Sequence, residues 1–133
     1  MITYDLFSYS NVGSTSCSEF DIPDAEVFLY PSLLSYHEAN QLFDTLKKNI
    51  IWEKQKIKLY GQFHDVPRLT AWYGDPNKSY IYSGIKLNTN PWNAVLLKIR
   101  EKIEKISKIK FNSVLLNLYR SGSDSVSWHS DDE

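Results

Sequence analysis

Apolar and polar positions along this chain fall into short runs of two different periods. Val27-Phe28-Leu29-Tyr30 is a compact apolar run closed by Pro31, which predicts a short strand. Ser35 and Glu38 stand at the spacing of a capping box and predict a helix start. Ala39, Leu42, Phe43 and Leu46 then recur at helical spacing, with Lys47 and Lys48 near the end that favours positive charge. Trp52 to Leu59 alternates less cleanly and reads better as a strand than as a helix, and Tyr60-Gly61 turns the chain. Arg68 to Tyr73, after Pro67, reads as a strand, and Gly74-Asp75-Pro76-Asn77 as a turn. Tyr80-Ile81-Tyr82 alternates, so a strand there puts both tyrosines on one face.

Asn90-Pro91 predicts a second helix, with Asn as cap and Pro at the first helical position. Trp92, Val95, Leu96, Ile99, Ile103 and Ile106 make its apolar stripe. Lys98, Arg100, Lys102, Lys105 and Lys108 cover much of the remaining surface. Phe111 to Tyr119 alternates as a strand, with Val114, Leu116 and Leu118 on one face and Leu115, Asn117 and Tyr119 on the other. Ser121 to Asp124 turns, and Val126 to Asp131 reads as a strand with His129 and Asp131 on one side. Residues 1–25, polar and serine-rich around Gly13, read as a loose arm. No repeat and no linker divides the rest, so residues 26–133 read as one domain.

Composition narrows the class. A chain of 133 residues can bury about two-thirds of its unfolded surface, enough for one core. Cys17 is the single cysteine, which excludes an internal disulfide framework and a multi-cysteine zinc site and fits a reducing compartment. No apolar run approaches the roughly 18 residues of a membrane span, and the first residues lack a signal-peptide pattern. The expectation is an intracellular protein, cytoplasmic or nuclear, with no membrane partner. Net charge is −1, but the distribution is uneven. All fifteen lysines and arginines lie between Lys47 and Arg120 against five acids there, a local balance of +10 between acidic ends. That middle suits a phosphate-bearing partner, and it equally suits solvated helix faces.

The chemistry concentrates near the C-terminal end. His129 and Asp131 are two apart, so on a strand an imidazole and a carboxylate point the same way. They supply two of the three ligands of a 2-His-1-carboxylate triad, a donor set that suits Fe(II) and leaves positions open. By itself this spacing is common and also describes a solvated acidic tail, or a loose divalent-cation site with Asp132 and Glu133 that has no EF-hand spacing.

The context is richer than one motif. Phe111-Asn112-Ser113-Val114-Leu115-Leu116-Asn117-Leu118-Tyr119-Arg120, followed by Asp124-Ser125-Val126-Ser127-Trp128-His129-Ser130-Asp131-Asp132-Glu133, closely resembles the AlkB-like Fe(II)/2-oxoglutarate dioxygenases. Pro67-Arg68, Trp72-Tyr73-Gly74-Asp75, Tyr80-Ile81-Tyr82-Ser83-Gly84 and Pro91-Trp92 fall in the same order in that family. The resemblance covers about residues 26–133. It implies an α+β fold: part of a double-stranded β-helix, or jelly roll, with two flanking helices and the C-terminal strands missing. It implies oxidative demethylation of N-methylated bases of the 1-methyladenine and 3-methylcytosine type, as repair of alkylated DNA or RNA.

Residue roles follow from the same resemblance. His129 and Asp131 would ligate iron, and Asn117, Leu118 and Tyr119 would hold 2-oxoglutarate. Tyr82 would stack on a flipped, methylated base with the His129 ring nearby, Tyr80 would hydrogen-bond near the base or its backbone with Ile81 between them in the substrate-binding run, and Asp132 would accept from the base's exocyclic amine. Aromatic faces recover part of the cost of unstacking a base, and a cationic methylated base favours them further. Tyr60-Gly61-Gln62 would form a hairpin tip that fills the gap left by the base, and Arg68 with nearby lysines would meet phosphates. The partner would be methylated DNA, single- or double-stranded, or RNA.

The chain departs from the family pattern at one point. The family's second iron-binding histidine and its 2-oxoglutarate arginine lie downstream of the H-x-D motif, and here two residues follow Asp131. The expectation is therefore a truncated chain that binds Fe(II) and 2-oxoglutarate weakly and is inactive alone. The alternatives are half of a split dioxygenase, completed by a C-terminal polypeptide, and a nucleic-acid-binding fragment without catalysis.

Overall fold

The computed structural model describes residues 16–76, 79–82 and 85–129, with backbone alone at 59, 79–82 and 85–88. Among the described residues it is a small α+β arrangement of two helices and short sheets. Two compact units divide after Lys48. Among the described residues no helix is long and apolar enough to cross a membrane.

In the first unit, β1 (Ser18–Ile22) pairs antiparallel with β2 (Ala25–Leu29). Asp24 closes the two-residue turn after Pro23 with φ 59°, a left-handed conformation that Asp tolerates. Residues 18–22 are thus a paired strand where the sequence predicts a loose arm. Glu19-Phe20-Asp21-Ile22 does alternate, with Ser18 and Phe20 half-buried on one side, but the run is short and sits in a polar, serine-rich stretch. The α1 helix (Tyr36–Asn49) begins as predicted, with Glu38 N donating to Ser35 Oγ at 3.3 Å. Its predicted stripe is only half-buried, and Phe43 is exposed with Lys47 Nζ 5.9 Å from its ring centre. The Cys17 side chain hydrogen-bonds the Tyr30 hydroxyl and raises the tyrosine's pKa.

In the second unit, β3 (Lys56–Leu59) and β4 (Gln62–Asp65) form a hairpin. Its turn residues Tyr60 and Gly61 both have positive φ, 50° and 82°, the backbone of a type I′ turn whose twist matches the strands. Glycine adopts this freely, and Tyr60 adopts it against its own preference. The predicted strand over Trp52 to Leu59 is shorter, since Glu53 makes only an isolated bridge to Thr70.

The core gathers around β5 (Leu69–Gly74), flanked by β9 (Ser113–Leu118) antiparallel and β8 (Asn90–Pro91) parallel. Thr70, Ala71 and Tyr73 are buried, as are Ile50, Val66 and Leu96. A central strand covered on both faces keeps no polar side, which is why Leu69 to Gly74 reads as nearly continuous apolar sequence. The Tyr73 hydroxyl accepts from Ile51 N at 3.0 Å, so its buried ring keeps a polar partner. Gly74 is required by close approach: a Cβ there would stand 2.8 Å from Asn112 O. The β6 strand (Ser79–Tyr82) pairs with β7 (Ile85–Asn88).

The second helix starts later than the sequence predicts. Asn90 and Pro91 are taken up by pairing with Tyr73 and Gly74, and Asn90 Nδ2 donates to Trp72 O at 3.2 Å. The cap of α2 (Ala94–Ser107) is Asn93, whose Oδ1 accepts from Leu96 N at 2.9 Å. Trp92 lies before the helix and donates to Asp75 Oδ1 at 2.9 Å. The predicted strand over Val126 to Asp131 is not formed in its described part, 126–129. A strand needs a ladder partner, and among the described residues none is paired with this segment.

Candidate active site

The site residues singled out from sequence all belong to the second unit. On β9 the predicted alternation holds: Val114, Leu116 and Leu118 are half-buried, while Leu115, Asn117 and Tyr119 are exposed. Asn117, opposite Thr70, and Tyr119, just past the strand end, therefore share an open face. Leu118 sits on the other face, so only its backbone is available to a ligand held there.

Arg68 meets this face directly. Its Nε donates to Asn117 Oδ1 at 3.0 Å, joining a residue expected at phosphates to one expected at 2-oxoglutarate. A guanidinium has donors only, so the contact fixes the amide: Oδ1 faces Arg68 and the NH₂ is turned to donate elsewhere. A carboxylate is the natural acceptor for such a group.

The segment after β9 is clasped. Asp124 Oδ2 accepts from Arg120 N at 2.8 Å and Nε at 2.7 Å, and Oδ1 accepts from Arg120 Nη2 at 2.8 Å. The Asp124 side chain is 7% exposed, and these bonds from Arg120 hold its pKa down to about 2. Asp124 in turn raises the pKa of Arg120. Ser125 N then donates to Pro67 O at 2.9 Å, tying this turn to the loop that carries Arg68. Sequence reading missed the clasp, although two opposite charges four residues apart around Gly122 were its visible signal.

Past the clasp, His129 is exposed, with Nδ1 2.8 Å from Ser127 O. A carbonyl only accepts, so in the neutral ring Nδ1 carries the proton and Nε2 keeps the lone pair. That is the tautomer of a metal-ligating imidazole with its other nitrogen oriented by a backbone carbonyl. The donor chemistry thus fits the metal its sequence context implies. Asp131 and Asp132 lie outside the described residues.

On the opposite side of the sequence motif set, Tyr60 stands fully exposed at the tip of the β3–β4 hairpin, with Gly61 and Gln62 exposed beside it. Tyr80, Ile81 and Tyr82 lie on β6 in register with Leu87, Lys86 and Ile85, which places the two tyrosines on one face of the ladder. Asp75 is a structural hub rather than a site: it accepts from Trp92, and Arg100 Nη1 is 3.6 Å from the same oxygen. The structure therefore brings together Arg68, Asn117, Tyr119 and the clasped turn leading to His129.

Comparison with known proteins gives the class to which the chain belongs. Residues 26–133 match the 2OG-Fe(II) oxygenase superfamily, and the chain belongs to that family, in its AlkB-like branch. It is 41% identical over 110 residues to the alpha-ketoglutarate-dependent dioxygenase alkB homolog 3 of Bos taurus, covering 82% of this chain and 38% of that protein. It is 36% identical over 107 residues to the DNA oxidative demethylase ALKBH2 of Homo sapiens, covering 78% of this chain and 41% of that protein. The chain thus spans about two-fifths of the length of these relatives.

Proposed function

We propose that residues 26–133 are the nucleic-acid-facing region and first half of the jelly roll of an oxidative demethylase that removes N-methyl groups from DNA or RNA bases. The observation that carries this reading is the open face of β9, where Asn117 and Tyr119 stand together beside the segment leading to His129. The family match supplies its class.

His129 and Asp131 would hold Fe(II), with the Ser127 carbonyl fixing the imidazole that binds. Fe(II) with O₂ and 2-oxoglutarate would supply the oxidation that turns the N-methyl group into formaldehyde, leaving succinate and CO₂. Asn117 and Tyr119 would orient the 2-oxoglutarate carboxylates by donating from the NH₂ and the hydroxyl. Arg68 serves this reading by fixing the Asn117 amide, in place of the phosphate contact its sequence context implies. Tyr82 and Tyr80 would receive the extruded base, Asp132 its exocyclic amine, and Tyr60 would fill the vacated stack.

A chimera tests this. Residues 26–133 replace the matched segment of the human DNA oxidative demethylase ALKBH2, and formaldehyde release from a 1-methyladenine oligonucleotide is measured with Fe(II), 2-oxoglutarate and ascorbate. The expected result is turnover by the chimera, lost in His129→Ala. A folded, iron-binding chimera with no demethylation overturns the assignment.

A further inference from the structure

The β3–β4 hairpin carries a second aromatic feature besides its tip. Phe63, on β4, is 70% exposed. Lys58 is its direct cross-strand neighbour, and the lysine Nζ lies 5.8 Å from the ring centre. Lys56 stands opposite Asp65 on the same face, because cross-strand partners and residues two apart share a side. Lys54 and Lys56 reach Asp65 at 2.6 and 3.9 Å. The Lys54 contact, reinforced by Lys56 and Arg120, keeps the Asp65 carboxyl ionised below its ordinary range. Three lysines against one carboxylate leave this face positive. The other face carries half-buried Ile57, yet the hairpin turns its larger apolar ring away from it and toward solvent.

An exposed ring bordered by lysines has the two elements that hold a single strand: a flat surface for a base and cations for its phosphates. We propose that this face of the hairpin is a docking platform for single-stranded nucleic acid, in which an unpaired base stacks on Phe63 while Lys56 and Lys58 meet the flanking phosphates. The local charge balance of +10 between Lys47 and Arg120 favours a polyanion, and an exposed ring edged by lysines suits one whose repeating unit carries both a flat base and a phosphate. A single strand is the fitting form because duplex bases already spend their faces on each other. The platform is distinct from the turn at Tyr60 and would take a nucleotide neighbouring the one undergoing chemistry. It rests on the nucleic-acid reading above and specifies which part of the strand this surface holds.

The test is fluorescence anisotropy of a labelled thymidine oligonucleotide titrated with the full 133-residue chain over a salt series. Phe63→Ala and Phe63→Leu are each expected to weaken binding about tenfold, and Phe63→Trp to retain it. Lys56→Ser and Lys58→Ser should each lower the slope of log affinity against log salt by ~0.7. Because these side chains are exposed, circular dichroism should match the parent in every variant. Unchanged affinity in Phe63→Ala overturns the proposal, and so does Phe63→Leu binding like the parent, which would leave no role for stacking. A parent chain that does not bind the oligonucleotide at low salt overturns it as well. Demethylation by the chimera stands or falls separately, so failure here leaves that reading open to its own test.

Discussion

Two polar contacts decide the local chemistry of the site. Arg68 fixes Asn117, and the amide is useful to a carboxylate only in the orientation that contact imposes. In the active chimera, Arg68→Ala is expected to raise KM for 2-oxoglutarate severalfold while leaving oligonucleotide affinity and its salt slope nearly unchanged. The opposite split would return Arg68 to a phosphate role. Asp124, clasped by Arg120, has a pKa of about 2, depressed from 3.8. A carboxyl whose folded pKa is lowered contributes stability that is fully present above its unfolded pKa and lost as pH falls through the folded one. The clasp should therefore loosen between pH 3.8 and about 2. Protection of the Ser125 amide, taken relative to its intrinsic exchange rate at each pH, should fall over that window, and Asp124→Asn should show low protection at every pH and remove that dependence. Both contacts were half-legible in sequence: the residues were singled out or correctly placed in a turn, but a bond between positions 68 and 117 has no local signal.

At the scale of elements, α2 shows how a tertiary pairing moves a boundary that local rules set elsewhere. Asn90-Pro91 satisfies every helix-start preference, yet a bridge to Tyr73 and Gly74 claims it, and Asn93 three residues on caps the helix instead. Asn93→Ala should cost about 1 kcal/mol in chemical denaturation, whereas Asn90 acts through its bond to Trp72 O. The same helix ends at Lys108 with φ 60°, where glycine is favoured. Lys108→Gly is expected to stabilise by up to about 1 kcal/mol, provided the Lys108 N to Glu104 O bond is kept. The start of α1 was legible from its capping spacing and β9 from its alternation, which matches its burial. The β1 strand was not, because its alternation, Glu19-Phe20-Asp21-Ile22, is only four residues long inside a polar, serine-rich stretch. The segment 126–129 read as a strand for the converse reason: its alternation is real, but a ladder must come from a partner strand.

For the molecule as a whole, β9 is the terminal strand of the three-stranded sheet formed by the described residues, with Leu115 45% exposed. Its open hydrogen-bonding edge and apolar side chain invite pairing with another chain. Concentration-dependent self-association is expected by light scattering, and Leu115→Lys should suppress it without lowering the unfolding midpoint of the monomer. Sequence alone determined the family, the two helices, the polarity of the two faces of β9 and the charge segregation. These rest on local spacing and ordered motifs, which are written in the chain itself. Only the tertiary structure decided that Asn90 pairs rather than caps, that Arg68 orients Asn117, that Asp124 clasps the turn before His129, and that Phe63 faces solvent beside Lys58. Each of these depends on which residues distant in sequence, or opposite across a ladder, are brought within a few ångströms. The energy of such contacts is set by geometry that no single segment carries.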